Sequence, residues 1–205
     1  MGSSAFAPNS NFTRSTDSAS VPAPEVVVSE EENRLLAALA LAMVEHPRAT
    51  LQELARAVGL SKATLYRFCR TREQLVERLL NHSVARVTAA IEAARLGEDA
   101  PLDALHRLTV HTLEQREFGA FLMMYYWQDG ATEMGAETGW ESQLDAFFLR
   151  GQQAGAFRID VATPALTELW MAIFSGLVDA ERRGRIARAS LPGLIEQSFL
   201  QGSAA

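Results

Sequence analysis

The stretch Thr50-Leu51-Gln52-Glu53-Leu54-Ala55-Arg56-Ala57-Val58-Gly59-Leu60-Ser61-Lys62-Ala63-Thr64-Leu65-Tyr66-Arg67-Phe68-Cys69-Arg70-Thr71-Arg72-Glu73-Gln74-Leu75 decides the fold. It predicts two short helices, a glycine turn and a basic second helix that runs into a third. Thr50 stands where an N-cap belongs, with Glu53 placed to complete a capping box, and Leu51, Leu54, Ala55 and Val58 share the apolar side of the first helix. Gly59 breaks that helix. Ser61 caps the next one, in which Leu65 points inward while Lys62, Thr64, Tyr66, Arg67 and Arg70 lie on other faces. A helix of this kind enters the major groove of DNA with its N-terminal residues against base edges.

The charge agrees. From His46 to Arg72 six basic residues stand against the single acid Glu53, so this window is +5 in a chain of formal net charge -6, and the remainder sums to -11. A basic island in an acidic molecule is the footprint of phosphate binding. Lys62 is the only lysine in the chain.

The run from Thr50 to Arg67 resembles the DNA-binding domain of the TetR family of bacterial transcriptional regulators. The likeness continues through Thr71, Arg72, Glu73 and Leu75, at the places of the family's Ser/Asn, Lys, Glu and Leu. It covers residues 33 to 76 by motif and the rest by length and helical layout. Three positions depart from the pattern: Phe68 stands for Tyr or His, Cys69 for Phe, and Arg72 for Lys. The resemblance implies phosphate contacts from Thr50, Tyr66, Arg67 and Arg72, and base contacts from Lys62, Ala63 and Thr64, with Ser61 beside them at the head of the reading helix. It also implies a homodimeric repressor on a palindromic operator of double-stranded DNA, released by a small-molecule effector.

Length and composition bound the rest. A chain of 205 residues with 48% hydrophobic content can bury a substantial core. No apolar run reaches the ~20 residues of a membrane span, and no secretory signal opens the chain, so a cytoplasmic protein with no membrane partner is expected. One cysteine suits a reducing compartment. Residues 1–29, rich in Ser, Ala, Pro and Thr, read as a disordered tail. Residues 30–80 read as the helix-turn-helix domain, with a first helix from Glu30 to His46 ended by Pro47. Residues 81–205 read as a helical ligand-binding and dimerisation domain. The long helix that opens at Thr71 joins the two and is expected to stop at Gly97. Further helices are expected at 101–117, 118–128, 137–154, 164–183 and 190–201. The fold class is all-α.

Two segments carry surplus apolar surface. Leu166, Leu169, Trp170, Ile173, Phe174, Leu177 and Val178 form a stripe wider than one neighbour covers, read as central core and, by the resemblance, as dimer interface. Aromatic and methionine side chains gather between His111 and Trp127 and recur further on. His111, Phe121, Met124, Tyr125, Trp127, Phe147, Trp170 and Phe174 are therefore expected to line a ligand pocket, like the one that the middle helices of TetR-like regulators enclose. Basic groups are sparse there, which favours an apolar or cationic ligand.

An enzyme is not expected. None of the four histidines has the Glu-x-x-His spacing of a di-metal bundle, and no phosphate loop, dinucleotide fingerprint or nucleophile elbow occurs. No metal or cofactor is expected. The alternative is a redox-sensing regulator acting through Cys69, against the plainer reading of Cys69 as a small buried hydrophobe. A helical-bundle enzyme is more remote still.

Overall fold

The computed structural model describes residues 29–129 and 139–203, with the side chains of 126–129 and 203 outside the description. Among the described residues all regular structure is helical: α1 Glu30–Glu45, α2 Leu51–Ala57, α3 Lys62–Phe68, α4 Arg72–Ala93, α5 Pro101–Glu114, α6 Arg116–Asp129, α7 Trp140–Gln153, α8 Thr163–Arg182 and α9 Leu191–Ser203, with a short 3-10 turn at Arg188–Ser190. The tail read at 1–29 lies outside the described residues except for Ser29. That residue caps α1 by accepting a hydrogen bond from Glu32 N.

The expected local signals act as read. The Thr50 hydroxyl oxygen accepts from Glu53 N at 3.3 Å, and Glu53 Oε2 accepts from Thr50 N at 2.7 Å. Gly59 turns the chain at φ +74°, a left-handed conformation that costs a glycine nothing. Leu60 N then bonds back to Ala55 O. Ser61 and Thr71 cap α3 and α4 through Thr64 N and Gln74 N.

Two boundaries differ by several residues. The helix expected at 101–117 ends at Glu114, with α6 opening at Arg116. The expected stop of α4 at Gly97 is not where the helix ends: it closes at Ala93, and Arg95 adopts φ +46°. Two arginines hold this corner. Arg107 donates to Ala94 O and Arg95 O, and Arg150 donates to Leu96 O and Asp99 O. These bonds satisfy carbonyls of the turn beyond the helix, while the last carbonyls of α4 itself, those of Ala90, Ile91 and Glu92, accept from Ala94 N and Arg95 N.

The N-terminal core consists of Leu36, Leu39, Met43, Leu54, Leu65, Leu75 and Leu79 from α1 to α4, and it is completed by Phe118 and Phe121 of α6. Both phenylalanines are at most 2% exposed, and each contributes roughly 1.5–3 kcal/mol by burial. A second core stacks Phe147, Phe148, Phe157 and Phe199, with ring centroids 4.9–6.1 Å apart. Phe157 reaches this stack by crossing α7 at Gly151, where a Cβ would fall 2.2 Å from its ring. The α8 stripe serves two sides: Leu166, Trp170 and Val178 are buried, whereas Ala165, Leu169, Ala172 and Gly176 are exposed on the opposite face.

Candidate functional site

On α3, Leu65 is fully buried in the N-terminal core, which turns Lys62, Ala63, Tyr66 and Arg67 to solvent along one outward face. The Lys62 ammonium lies 5.4 Å from the Tyr66 ring centroid, so the lysine extends over the ring and its charge faces outward. Thr64 is half-buried, and its hydroxyl pairs with that of Ser61 at 2.8 Å. Ser61 thus serves α3 as its cap.

The arginines divide by place. Arg78, Arg107, Arg150, Arg158 and Arg182 are all held by carboxylates or carbonyls. Among the described residues, Arg48, Arg56, Arg67 and Arg70 make no ion pair or side-chain hydrogen bond, a condition shared elsewhere by Arg185. Cations left without acids in one segment of an acidic chain are available to an external polyanion.

Two residues expected at phosphates have inward partners. The Thr50 hydroxyl donates its hydrogen to Glu53 Oε2 at 2.8 Å, and these bonds hold the Glu53 carboxyl below its usual range. Arg72 Nη2 donates to Pro47 O at 2.5 Å, tying the start of α4 to the corner between α1 and α2. The first bond is local, whereas the second spans 25 residues of chain.

Behind α3, the Arg78 guanidinium stands 3.7 Å from the Phe68 ring centroid and pairs with Glu32, linking α1, α3 and α4. Cys69 is buried, and desolvation pushes its thiol above the ordinary range, partly opposed by Arg78. A redox sensor needs an accessible thiolate, so the geometry favours the core reading of Cys69.

A cavity of about 370 Å³ lies between α4, α6, α7 and α8. Its wall includes Met123, Met124, Trp140, Trp170, Met171 and Phe174, with Val44 from the last turn of α1. Trp170 stacks on Phe174 at 5.2 Å, and Trp140 Nε1 donates to Thr88 Oγ1 at 2.9 Å. The polar groups at the wall are Thr112, Ser175, Glu141, Asp179 and Arg182. Asp179 accepts from Arg182 at 2.6 Å, and this pairing lowers its pKa.

Of the side chains expected at a pocket, Met124, Trp170 and Phe174 line this cavity. Phe121 is instead buried in the N-terminal core and Phe147 in the aromatic stack. Tyr125 packs at 4.8 Å on Phe121, at the edge of the N-terminal core. His111 faces Glu114 at 3.6 Å. The side chain of Trp127 lies outside the described residues. Sequence reading did not single out Met171, Ser175, Asp179 and Val44. Met171, Ser175 and Asp179 share a face of α8 at four-residue spacing, but that helix is apolar on both sides, so periodicity alone does not say which face looks inward.

No group of three His, Cys, Asp or Glu able to hold a metal occurs among the described residues, and no described helix is long and apolar enough to cross a membrane.

Comparison with known proteins places this geometry. A family model described as the IclR helix-turn-helix domain matches residues 34–79. The chain is 47% identical over 180 residues to the HTH-type transcriptional regulator NfxB of Pseudomonas aeruginosa, covering 86% of this chain and 96% of that protein. It is 28% identical over 134 residues to the HTH-type transcriptional repressor LfrR of Mycolicibacterium smegmatis, covering 65% of this chain and 64% of that protein. In fold it is similar to the crystal structure of the TetR-like regulator LfrR in complex with proflavine, with a TM-score of 0.64 at 22% identity, covering 83% of this chain and 94% of that one. The ketosteroid regulator KstR2 of Mycobacterium tuberculosis matches with the same TM-score of 0.64 at 16% identity, over 87% of this chain and 97% of that one.

Proposed function

Since the chain belongs to the TetR-like helix-turn-helix transcriptional regulators, we propose that it is a repressor that binds a palindromic operator as a homodimer and releases it when a small apolar or cationic molecule fills the cavity between α4 and α8. The observation that carries the DNA half is the outward face of α3, where Lys62, Ala63, Tyr66 and Arg67 are exposed with no acid to neutralise their charge. Lys62 and Ala63, with Thr64 at the edge of that face, meet base edges. Tyr66 and Arg67 meet phosphates.

The dimer reading rests on α8. Ala165, Leu169, Ala172 and Gly176 recur at three- and four-residue spacing on its exposed face, a stripe small enough for a second helix to approach closely. Two readers related by such an axis sit about one helical turn, ~34 Å, apart on DNA.

The release reading rests on the cavity wall. Two tryptophans, a phenylalanine and three methionines give it an adaptable apolar surface, and the carboxylates of Glu141 and Asp179 outnumber the cation of Arg182. The related regulator LfrR takes proflavine. Trp170, stacked on Phe174, gives a ligand an aromatic face to pack against. Val44 in the wall puts α1, and so the reading unit, in direct contact with whatever fills the cavity. A preference of ~1–3 kcal/mol for one state is enough to shift DNA affinity.

The test is fluorescence anisotropy of the purified protein on DNA from immediately upstream of its own gene, with and without compounds that raise its melting temperature. Tight binding that those compounds reverse supports the proposal. Absence of DNA binding overturns it.

A further inference from the structure

A concavity of about 670 Å³ is lined by His46, Pro47, Arg48, Ala49, Glu53, Arg56 and Ala57, at the corner between α1 and α2 and with no residue of α3 in its wall. Arg48 and Arg56 on it are exposed, and neither makes an ion pair or side-chain hydrogen bond. The one carboxylate present, Glu53, accepts from the N–H and O–H of Thr50 and keeps its charge, which attracts Arg56 without forming an ion pair, so the corner carries two cations against one anion. Arg72, at the start of α4 directly after the reading helix, holds the Pro47 carbonyl. That bond ties the residue before Arg48 to the first residue of α4, which follows the reading helix.

We propose that this corner is a second phosphate-binding site, in which Arg48 and Arg56 grip the DNA backbone flanking the segment read by α3. The inference rests on the DNA-binding reading above and extends it. The Thr50 hydroxyl and one arm of Arg72, which the family pattern would aim at phosphates, are engaged inside the protein. Arg48 and Arg56 are the cations left to do that work at this corner, and Arg72 acts on them as a positioning residue. Phosphate contacts add affinity without reading bases, so the site widens the footprint and leaves sequence preference to α3.

The experiment compares the parent with the double variant Arg48→Ala/Arg56→Ala on one mixed-sequence DNA duplex about three helical turns long, across a series of salt concentrations. The expected result is at least tenfold weaker binding at low salt, with the slope of log affinity against log salt shallower by roughly 0.9 for each phosphate no longer neutralised, close to two units per bound subunit. Arg48→Lys/Arg56→Lys should restore the slope. Neither side chain bonds within the fold, so circular dichroism and melting temperature should match the parent. The ratio of affinities for a selected tight-binding duplex and a scrambled one should also be unchanged. If the parent binds and the double alanine variant keeps its slope, the second site is overturned while the α3 reading stands. A parent that binds no duplex at any salt concentration overturns both.

Discussion

His82 Nε2 lies 2.8 Å from Asn33 Oδ1, joining the middle of α4 to the first turn of α1, while the imidazole meets the Phe118 ring edge-on at 5.0 Å. The histidine therefore stands where α1, α4 and α6 converge. Burial, and next the Arg86 cation, hold its pKa below the ordinary 6.5. The folded protein thus resists protonating it. Below about pH 6.5 the unfolded chain takes up a proton that the native state does not, so this group's contribution is present above that pH and declines as pH falls towards the lower native pKa. Urea midpoints measured from pH 7.5 to 5 should fall more for the parent than for His82→Gln, which keeps a donor for Asn33 and does not titrate. Parallel curves would show that His82 has no such linkage.

On the proposed function, the outward face of α3 separates two kinds of contact. Lys62→Ala should weaken operator binding by ~1–3 kcal/mol and relax base preference at one position, whereas Arg67→Ala should weaken all duplexes alike and lower the salt slope by about one. Neither should shift the melting temperature, since both side chains are exposed. Anisotropy titrations on operator and scrambled DNA distinguish the two.

The exposed face of α8 is best probed at Leu169, which is 38% exposed in the subunit and, unlike Gly176, does not line the cavity. Leu169→Glu should therefore fold. It should sediment as a monomer where the parent sediments as a dimer. A variant that remains dimeric moves the interface elsewhere.

The cavity can be filled from Gly119, which lines it and whose absent side chain would also meet nothing within 4 Å. Gly119→Leu should keep or raise the melting temperature while abolishing the stabilisation by hit compounds, which at 100 times their dissociation constant add ~2.7 kcal/mol to the parent. A hit that stabilises both proteins equally binds outside this cavity.

Cys69, buried and with a thiol pushed upward by desolvation, should react slowly with a disulfide reagent at pH 7.5 and fully once the protein is denatured. Cys69→Ala should cost ~1 kcal/mol by the loss of buried volume and leave DNA binding insensitive to oxidant, as in the parent. Rapid reaction of the native thiol would restore the redox reading.

The helix-turn-helix was legible in the sequence because its determinants are local: Thr50 with Glu53, Gly59, and Ser61 with Thr64 all act within a few residues. The all-α class followed from helical spacing along every apolar segment. The cavity was only partly legible. Met124, Trp170 and Phe174 reach it, but aromatic density does not distinguish a wall from a plug, and Phe121 and Phe147 fill cores instead. Residues whose roles depend on a remote backbone could not be read at all. Nothing near Arg72 in the chain announces that its partner is Pro47 O, and nothing at Ala93 announces that Arg107 and Arg150 will close the corner that Gly97 was expected to make.

Phe118 and Phe121, the two α6 side chains that complete the N-terminal core, set a rule for engineering this protein. The reading head is no detachable cassette. A fragment cut after residue 80 would lose both rings from its core, and a chimera that grafts it onto another body inherits that gap unless the new body supplies aromatic rings at the same places. If α3 reads the operator as proposed, exchanging target preference between such regulators calls for rewriting its outward residues one by one, with the native α6 left in place.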